Sequence, residues 1–117
     1  MVISIANNKG GTGKTTTAVN LGAALAENDF SILEVDLDPQ GNLSVNLGVD
    51  IDSLEHTIYD VLLNPESFPL QKVIRTVLLN LSLVPANIDL SGATVELMDE
   101  ISRESILKRA LSLVKKD

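Results

Sequence analysis

The stretch that decides the fold is glycine-rich and lies near the amino terminus. Its residues, in order, are Lys9, Gly10, Gly11, Thr12, Gly13, Lys14, Thr15 and Thr16. An apolar run at 2–6 precedes it and predicts a buried parallel strand. A helical period begins at Lys14, because Ala18, Leu21, Gly22 and Leu25 recur at the spacing of one helix face. The pattern therefore predicts a strand, a glycine-rich loop and a helix in direct succession.

A strand–loop–helix unit of this composition can surround a phosphate group. Glycines let backbone N–H groups curl closely around anionic oxygens, and the following helix presents its positive end to the same anion. Lys14 can reach the β- and γ-phosphates of a nucleotide, and the Thr15 hydroxyl can ligate Mg²⁺. The motif predicts a site for ATP with Mg²⁺; a glycine-rich turn that binds nothing is the alternative.

Lys9 is not required by an ordinary phosphate loop of this kind. One interpretation is a solvated surface lysine. The sharper interpretation is a second cation directed at phosphate.

A second informative stretch follows the predicted strand at 31–35. It reads Asp36-Leu37-Asp38-Pro39-Gln40-Gly41-Asn42. A carboxylate at the carboxyl end of a strand, close to the phosphate loop, can hold a water molecule in line for attack on phosphate. The alternative is an acidic loop that only forms a turn before Pro39.

The rest of the chain alternates helical and strand patterns. We expect Asn28-Asp29 to end the first helix, a capping box at 57–60 to open a short helix that stops near Pro65, and a strand at 81–84 stopped by Pro85. Helices are also expected from Pro69, after Leu90, and from about Arg103. Strands alternating with helices predict an α/β fold with a parallel sheet and flanking helices.

Composition excludes several classes of protein. The 117 residues include nine basic and sixteen acidic residues and no cysteine, giving a net charge of −7. A disulfide, a thiolate metal site and an iron–sulfur cluster are therefore excluded, and binding of nucleic acid by charge alone is disfavoured. No signal peptide or membrane span is evident, so we expect a cytoplasmic protein. His56 is expected to be a surface or capping side chain.

The phosphate loop with its extra lysine is a deviant Walker A signature and resembles that of the MinD/ParA superfamily of ATPases. The segment from Asp36 to Asn42 narrows the resemblance to the ParA/Soj-type proteins that partition chromosomes and plasmids. Two further stretches, at 57–62 and 83–93, agree with it. The absence of cysteine separates the chain from the related nitrogenase iron protein.

The resemblance implies a P-loop fold and a homodimer with ATP sandwiched between protomers. Lys9 would reach the partner's nucleotide, Lys14 would bind phosphate and Thr15 would ligate Mg²⁺. Asp38 would orient the attacking water, and Asp36 would be the acid nearer the metal. DNA and a centromere-binding protein are the partners that the family implies, whereas a membrane is not.

The chain also departs from the family pattern. We expect one partial nucleotide-binding domain at 1–117, because the family pattern continues with an Asp-x-Pro-Pro switch strand that this sequence does not contain. Glu34 stands in a strand where an aliphatic residue is expected, and a buried unpaired carboxylate is costly. Three hypotheses follow: a partition ATPase, a non-catalytic nucleotide-binding module that could pair with a full-length relative, and an interrupted reading frame without a stable fold.

Overall fold

A computed structural model describes residues 1–6, 13–89, 103–112 and 114 of the chain. Its α-helices are α1 (Lys14–Glu27), α2 (Asn42–Asn46), α3 (Ile58–Leu63) and α4 (Arg103–Ser112). Its strands are β1 (Ile32–Val35), β2 (Arg75–Leu78) and β3 (Leu81–Val84). Short 3-10 helices occupy Ile51–Ser53 and Leu70–Lys72. The described helices include no candidate membrane span.

The three strands form one sheet in the order β1-β3-β2. β1 and β3 are parallel, with Ile32 opposite Leu81 and Val35 opposite Val84. β2 and β3 are antiparallel and joined by a tight turn in which Asn80 has a φ of 65°. An irregularity between Thr76 and Leu78 shifts the register of β2. The sheet is therefore mixed, and β3 is its central strand.

Helices cover both faces of the sheet, because side chains of a strand alternate between faces. On one face, Leu33, Val35 and Val84 pack with the apolar side chains of α3 and α4. On the other face, Leu83 packs with Leu43 of α2, and Ala18 and Val19 of α1 lie against the same cluster. Two apolar clusters, one on each face of the sheet, thus hold the three layers together.

Local signals account for several element ends. Asp29 takes a left-handed conformation with a φ of 68°, which ends α1 where the sequence predicted. At α3 the Thr57 hydroxyl accepts a hydrogen bond from the Tyr59 amide, and Asp60 accepts one from the Thr57 amide at 2.8 Å. This capping box confirms the predicted helix start, and Pro85 follows directly on β3 as expected.

Two predictions about local structure were wrong. Residues 2–6 form no strand, and their side chains are exposed, at 62% for Val2 and 56% for Ile3. A strand needs a hydrogen-bonded neighbour, which hydrophobicity does not supply, and within the described residues this segment has none. The helix expected from Pro69 is a single 3-10 turn followed by β2, because the β2–β3 hairpin places Val77 in the sheet. The sheet is consequently not purely parallel, while the α/β class is confirmed.

The helix predicted after Leu90 lies outside the described residues. The helix predicted from Arg103 is α4.

Glu34 lies on the α1 side of the sheet, opposite the buried Leu83. Both of its carboxylate oxygens are buried without a hydrogen-bond partner. They lie against Gly22 of α1, where a Cβ atom would collide with Oε1. Burial, and secondarily the charge of Asp36, raises the pKa of Glu34. The missing side chain of Gly22 therefore leaves room for the Glu34 carboxylate on an otherwise apolar face of the sheet.

We predict that Glu34→Leu raises the free energy of unfolding at pH 7 by about 1–3 kcal/mol, because an unpaired buried polar group is removed. The folded-state pKa of Glu34 is raised, so wild-type stability falls as pH rises through that pKa. The advantage of the variant should accordingly shrink in acid. Urea unfolding at several pH values measures it, with the exposed Glu66→Leu as control. An equal gain at acid and neutral pH would contradict the assignment.

Candidate nucleotide site

The start of α1 has the geometry of an anion site. Gly13 caps the helix in a left-handed conformation with a φ of 86° and contributes no side-chain cap. The first hydrogen bond of the helix runs from the Thr17 amide to the Gly13 carbonyl at 2.8 Å. The first-turn amides of a helix have no carbonyl acceptor within it, and the helix dipole makes this end positive. With no acidic residue in that turn, it suits a phosphate.

Asp36 follows β1 directly and is the most buried ionisable group of the site, with 2% of its surface exposed. Its Oδ2 accepts hydrogen bonds from the Ser44 hydroxyl at 2.7 Å and the Ser44 amide at 3.0 Å. Its Oδ1 accepts one from the Asp38 amide at 3.0 Å. Burial raises the pKa of Asp36, and these hydrogen bonds oppose the rise. The carboxylate thus fixes both ends of the loop from residue 36 to residue 44.

Ser44 extends this network to the central strand. It is fully buried in α2, and its hydroxyl accepts a hydrogen bond from the Ala86 amide at 3.1 Å. The Asp36 amide in turn donates to the Val84 carbonyl at 3.0 Å. The ends of β1 and β3 and the start of α2 are therefore joined through one carboxylate and one hydroxyl.

Asp38 is half-buried and more open than Asp36. Its Oδ1 accepts a hydrogen bond from the Gln40 amide at 2.9 Å, and its Oδ2 accepts one from the Asn42 side chain at 2.8 Å. A carboxylate has about four lone-pair sites, so each oxygen can still accept a bond from water. The side chain is oriented but retains acceptor capacity.

Gly41 permits the loop to return to the sheet. It has a φ of 66°, and a Cβ at this position would lie 2.7 Å from the Ala86 carbonyl oxygen. A residue with a side chain would be strained in this left-handed conformation and would collide with the backbone just past β3. The glycine of the acidic segment is therefore a steric requirement.

Topology brings the start of α1 and the acidic loop to the same edge of the sheet. α1 is joined to β1 by a short connection at its carboxyl end, so the helix runs back and its start lies toward the end of β1. Ala18 and Val19 in the first half of α1 belong to the same apolar cluster as Leu43 of α2. Since α2 immediately follows the acidic loop, these contacts hold the two motifs on one side of the molecule.

The predicted site residues divide into two groups. Gly13, Lys14, Thr15 and Thr16 lie at the start of α1, and Asp36 and Asp38 lie at the end of β1, as the sequence indicated. Lys9, Gly10, Gly11 and Thr12 lie outside the described residues. Sequence reasoning missed Ser44, which has no signal beyond its position in an apolar stretch after the acidic segment. It also missed that Asn42 fixes the Asp38 carboxylate.

The oxygen atoms available here suit a hard divalent cation. They are the hydroxyl of the half-buried Thr15 and the carboxylates of Asp36 and Asp38. Mg²⁺ prefers a few such oxygens together with water and phosphate. The described residues contain no group of three or more His, Cys, Asp or Glu side chains that could hold a metal without a nucleotide. The donor set therefore fits a magnesium ion that arrives with phosphate.

A cavity of about 350 Å³ lies beside the acidic loop, between Gln40, Ile51 and Asn87. No residue of α1 lines it. It is therefore adjacent to the candidate nucleotide site but is not the phosphate position.

The model of a family described as "AAA domain" matches residues 1–117. The chain belongs to this family. Its relatives include the sporulation initiation inhibitor protein Soj of Bacillus subtilis, 47% identical over 116 residues. The chromosome partitioning protein ParA of Myxococcus xanthus is 49% identical over 111 residues. These matches cover 99% and 94% of this chain, which confirms its resemblance to the ParA/Soj-type proteins.

Solved structures agree on the fold. Cobyrinic acid a,c-diamide synthase from Mycobacterium smegmatis, crystallised with an ATP analog and magnesium, superposes with a TM-score of 0.90 at 44% identity. It matches 96% of this chain and 45% of its own. A plasmid partition protein from Borrelia burgdorferi gives a TM-score of 0.79 at 27% identity, with 97% and 49% covered. The P-loop architecture predicted from the glycine-rich stretch is thereby confirmed.

The chain spans less than half the length of these relatives: 46% of the Bacillus protein and 38% of the Myxococcus protein. The matched part contains the phosphate loop and the acidic segment of this chain.

We predict that Ser44→Ala lowers the free energy of unfolding by about 1–3 kcal/mol, because the buried Ala86 amide loses its acceptor and Asp36 loses a donor. Denaturant unfolding measures the loss. Ser53→Ala is the matched control, since its hydroxyl bonds only to the exposed turn at Asp50. Equal stability of the two variants would show that the Asp36–Ser44 network does not hold the loop.

Proposed function

We propose that this chain binds ATP with Mg²⁺ and forms the nucleotide-binding part of a ParA/Soj-type ATPase of DNA partitioning. One observation carries the proposal: α1 starts at a left-handed glycine with Lys14 and Thr15 in its first turn, at the edge of the sheet where Asp36 and Asp38 follow β1. The match to Soj and ParA proteins over nearly the whole chain supports the cargo class.

The proposed binding mode follows from charge and backbone geometry. The amides of the first turn of α1 would donate to the phosphates, and the Lys14 ammonium would neutralise the β- and γ-oxygens. Thr15 and Asp36 would hold Mg²⁺, directly or through water, and a bound ion would supply positive charge beside the phosphoryl group. Lys9 is assigned to the nucleotide of a second protomer, as the family resemblance implies.

Asp38 is assigned to the attacking water. Gln40 and Asn42 fix its carboxylate at 2.9 Å and 2.8 Å, so its free lone pairs point in a defined direction. Orientation of water is the main task left to protein side chains in phosphoryl transfer. The buried Asp36–Ser44 network keeps the loop that carries Asp38 in register with the sheet.

Assembly and partners belong to the same proposal. The proposed active form is a homodimer with nucleotide between the protomers, acting with DNA and a centromere-binding protein. The net charge of −7 disfavours DNA binding by charge alone, so the DNA contact that the family implies is not assigned to any described residue of this chain.

We predict that Lys14→Ala abolishes detectable ATP binding, because the phosphates lose their principal side-chain cation. Titration calorimetry with ATP and Mg²⁺ measures this, and a loss of at least about a hundredfold in affinity is expected. Lys108→Ala, on an exposed face of α4, is the control and should bind like the wild type. Retained affinity in Lys14→Ala would refute the assignment of the phosphate loop.

We predict that Asp38→Ala keeps ATP affinity within a few-fold but lowers Mg²⁺-dependent phosphate release by about a hundredfold or more. Asn42→Ala should lower it less, because Asp38 remains but is less well oriented. A phosphate-release assay measures both. Binding without any turnover in the wild type would instead support the non-catalytic module, and unchanged turnover in Asp38→Ala would refute its role.

A further inference from the structure

A second cleft, of about 220 Å³, lies away from the nucleotide site, between residues 53–56 and 72–75. His56, Lys72 and Arg75 line it, and Glu55 is the carboxylate among its described lining residues. Two of the nine basic residues of an acidic chain thus meet at one small cleft. The proposed ATPase function uses none of them.

Lys72 and His56 of the cleft are each held by a neighbour. Lys72 donates a hydrogen bond to the Ser67 carbonyl at 3.3 Å and has two further N–H donors. The His56 ring lies 4.6 Å from the Phe68 ring, centroid to centroid, and 3.7 Å from the Asp60 carboxylate. Arg75 is exposed at the first position of β2. The cleft therefore offers hydrogen-bond donors to an anion of small size.

The cleft lies at the beginning of an open sheet edge. β2 pairs with β3 on one side, and no other described strand pairs with it. Leu78 at its far end is 57% exposed, and Leu79 beyond it is 86% exposed. An edge strand presents free N–H and C=O groups that can pair with an added strand. Backbone donors, a cationic cleft and an apolar end are therefore arranged along one short line.

We propose that the outer edge of β2 binds an extended segment of a partner protein. Acidic side chains of that segment enter the cleft at Lys72 and Arg75, and an apolar side chain covers Leu78. Charge complementarity selects this occupant, because a second copy pairing through its own β2 would bring two more cations, Lys72 and Arg75, against the single carboxylate of Glu55. Nucleic acid would fit the cations but not the free hydrogen-bonding groups of the strand.

The test uses fluorescence anisotropy with the full chain and a labelled peptide of roughly ten residues. The peptide alternates threonine and valine and carries two aspartates near one end. Two comparison peptides replace the aspartates by asparagine or methylate alternate backbone amides. The protein variants are Lys72→Glu and Arg75→Glu, with Lys108→Glu as a matched reversal on α4. All three positions are exposed, and a thermal melt verifies that each variant is folded.

We expect each reversal in the cleft to weaken binding about tenfold, while Lys108→Glu changes it less than about twofold. The asparagine and methylated peptides should each lose at least about tenfold. Equal effects of all three reversals would overturn the proposal, since only overall charge would then matter. Undiminished binding of the methylated peptide, or its complete displacement by millimolar inorganic phosphate, would show a simple anion site and overturn strand addition. A failure here leaves ATP binding at Lys14 untouched.

Discussion

The hydrogen bonding of one buried carboxylate organises the described part of this protein. Asp36 directly follows β1, and its two oxygens accept hydrogen bonds from Ser44 in α2 and from the Asp38 amide. Ser44 accepts a bond from Ala86 just past β3. A buried charge left without these partners would cost several kcal/mol, on the order expected for an uncompensated ion. The loop therefore favours the conformation that keeps these hydrogen bonds. This loop conformation places Asp38 at the carboxyl edge of the sheet.

The same constraint connects packing to the proposed chemistry. α2 is only five residues long and could not be stable alone, yet its Leu43 packs with Leu83 of β3 and its Ser44 satisfies Asp36. Ala18 and Val19 of α1 complete the cluster. A helix start that suits phosphate and a loop that can orient water are therefore held by one apolar cluster and one polar network, on the side of the sheet opposite α3 and α4.

Glu34, unlike Asp36, is a buried carboxylate without compensating hydrogen bonds. Its carboxylate has been buried against Gly22 without hydrogen-bond partners, two residues before a carboxylate that has three. Burial raises the pKa of both groups, but for Asp36 the bonds from Ser44 and Asp38 oppose the rise. Their places along the chain alone do not distinguish these two acids, because Glu34 lies in β1 and Asp36 follows that strand directly. What separates them is the presence of α2 beside one of them.

The sequence by itself determined the elements that depend on local chemistry. The left-handed Asp29, the capping box at Thr57 and Asp60, the strand stopped by Pro85, and the start of α1 at a glycine-lysine-threonine run all follow from interactions within a few residues. It also indicated the nucleotide site, because Gly13 to Thr16 and Asp36 to Asn42 carry their chemistry in their order along the chain.

Only the tertiary structure decided the features that depend on distant neighbours. Residues 2–6 are as apolar as a core strand but lie outside the sheet, since strand formation requires a hydrogen-bonded partner that composition does not specify. Val77 fits a helical stripe equally well, yet pairing with β3 places it in a hairpin. Ser44 is eight residues from Asp36 in the sequence, and only the folded loop shows that its hydroxyl donates a hydrogen bond to that carboxylate. Hydrogen bonds and contacts between residues far apart in the sequence leave no recognisable motif. Caps, turns and phosphate loops do, because their interacting residues lie within a few positions of one another.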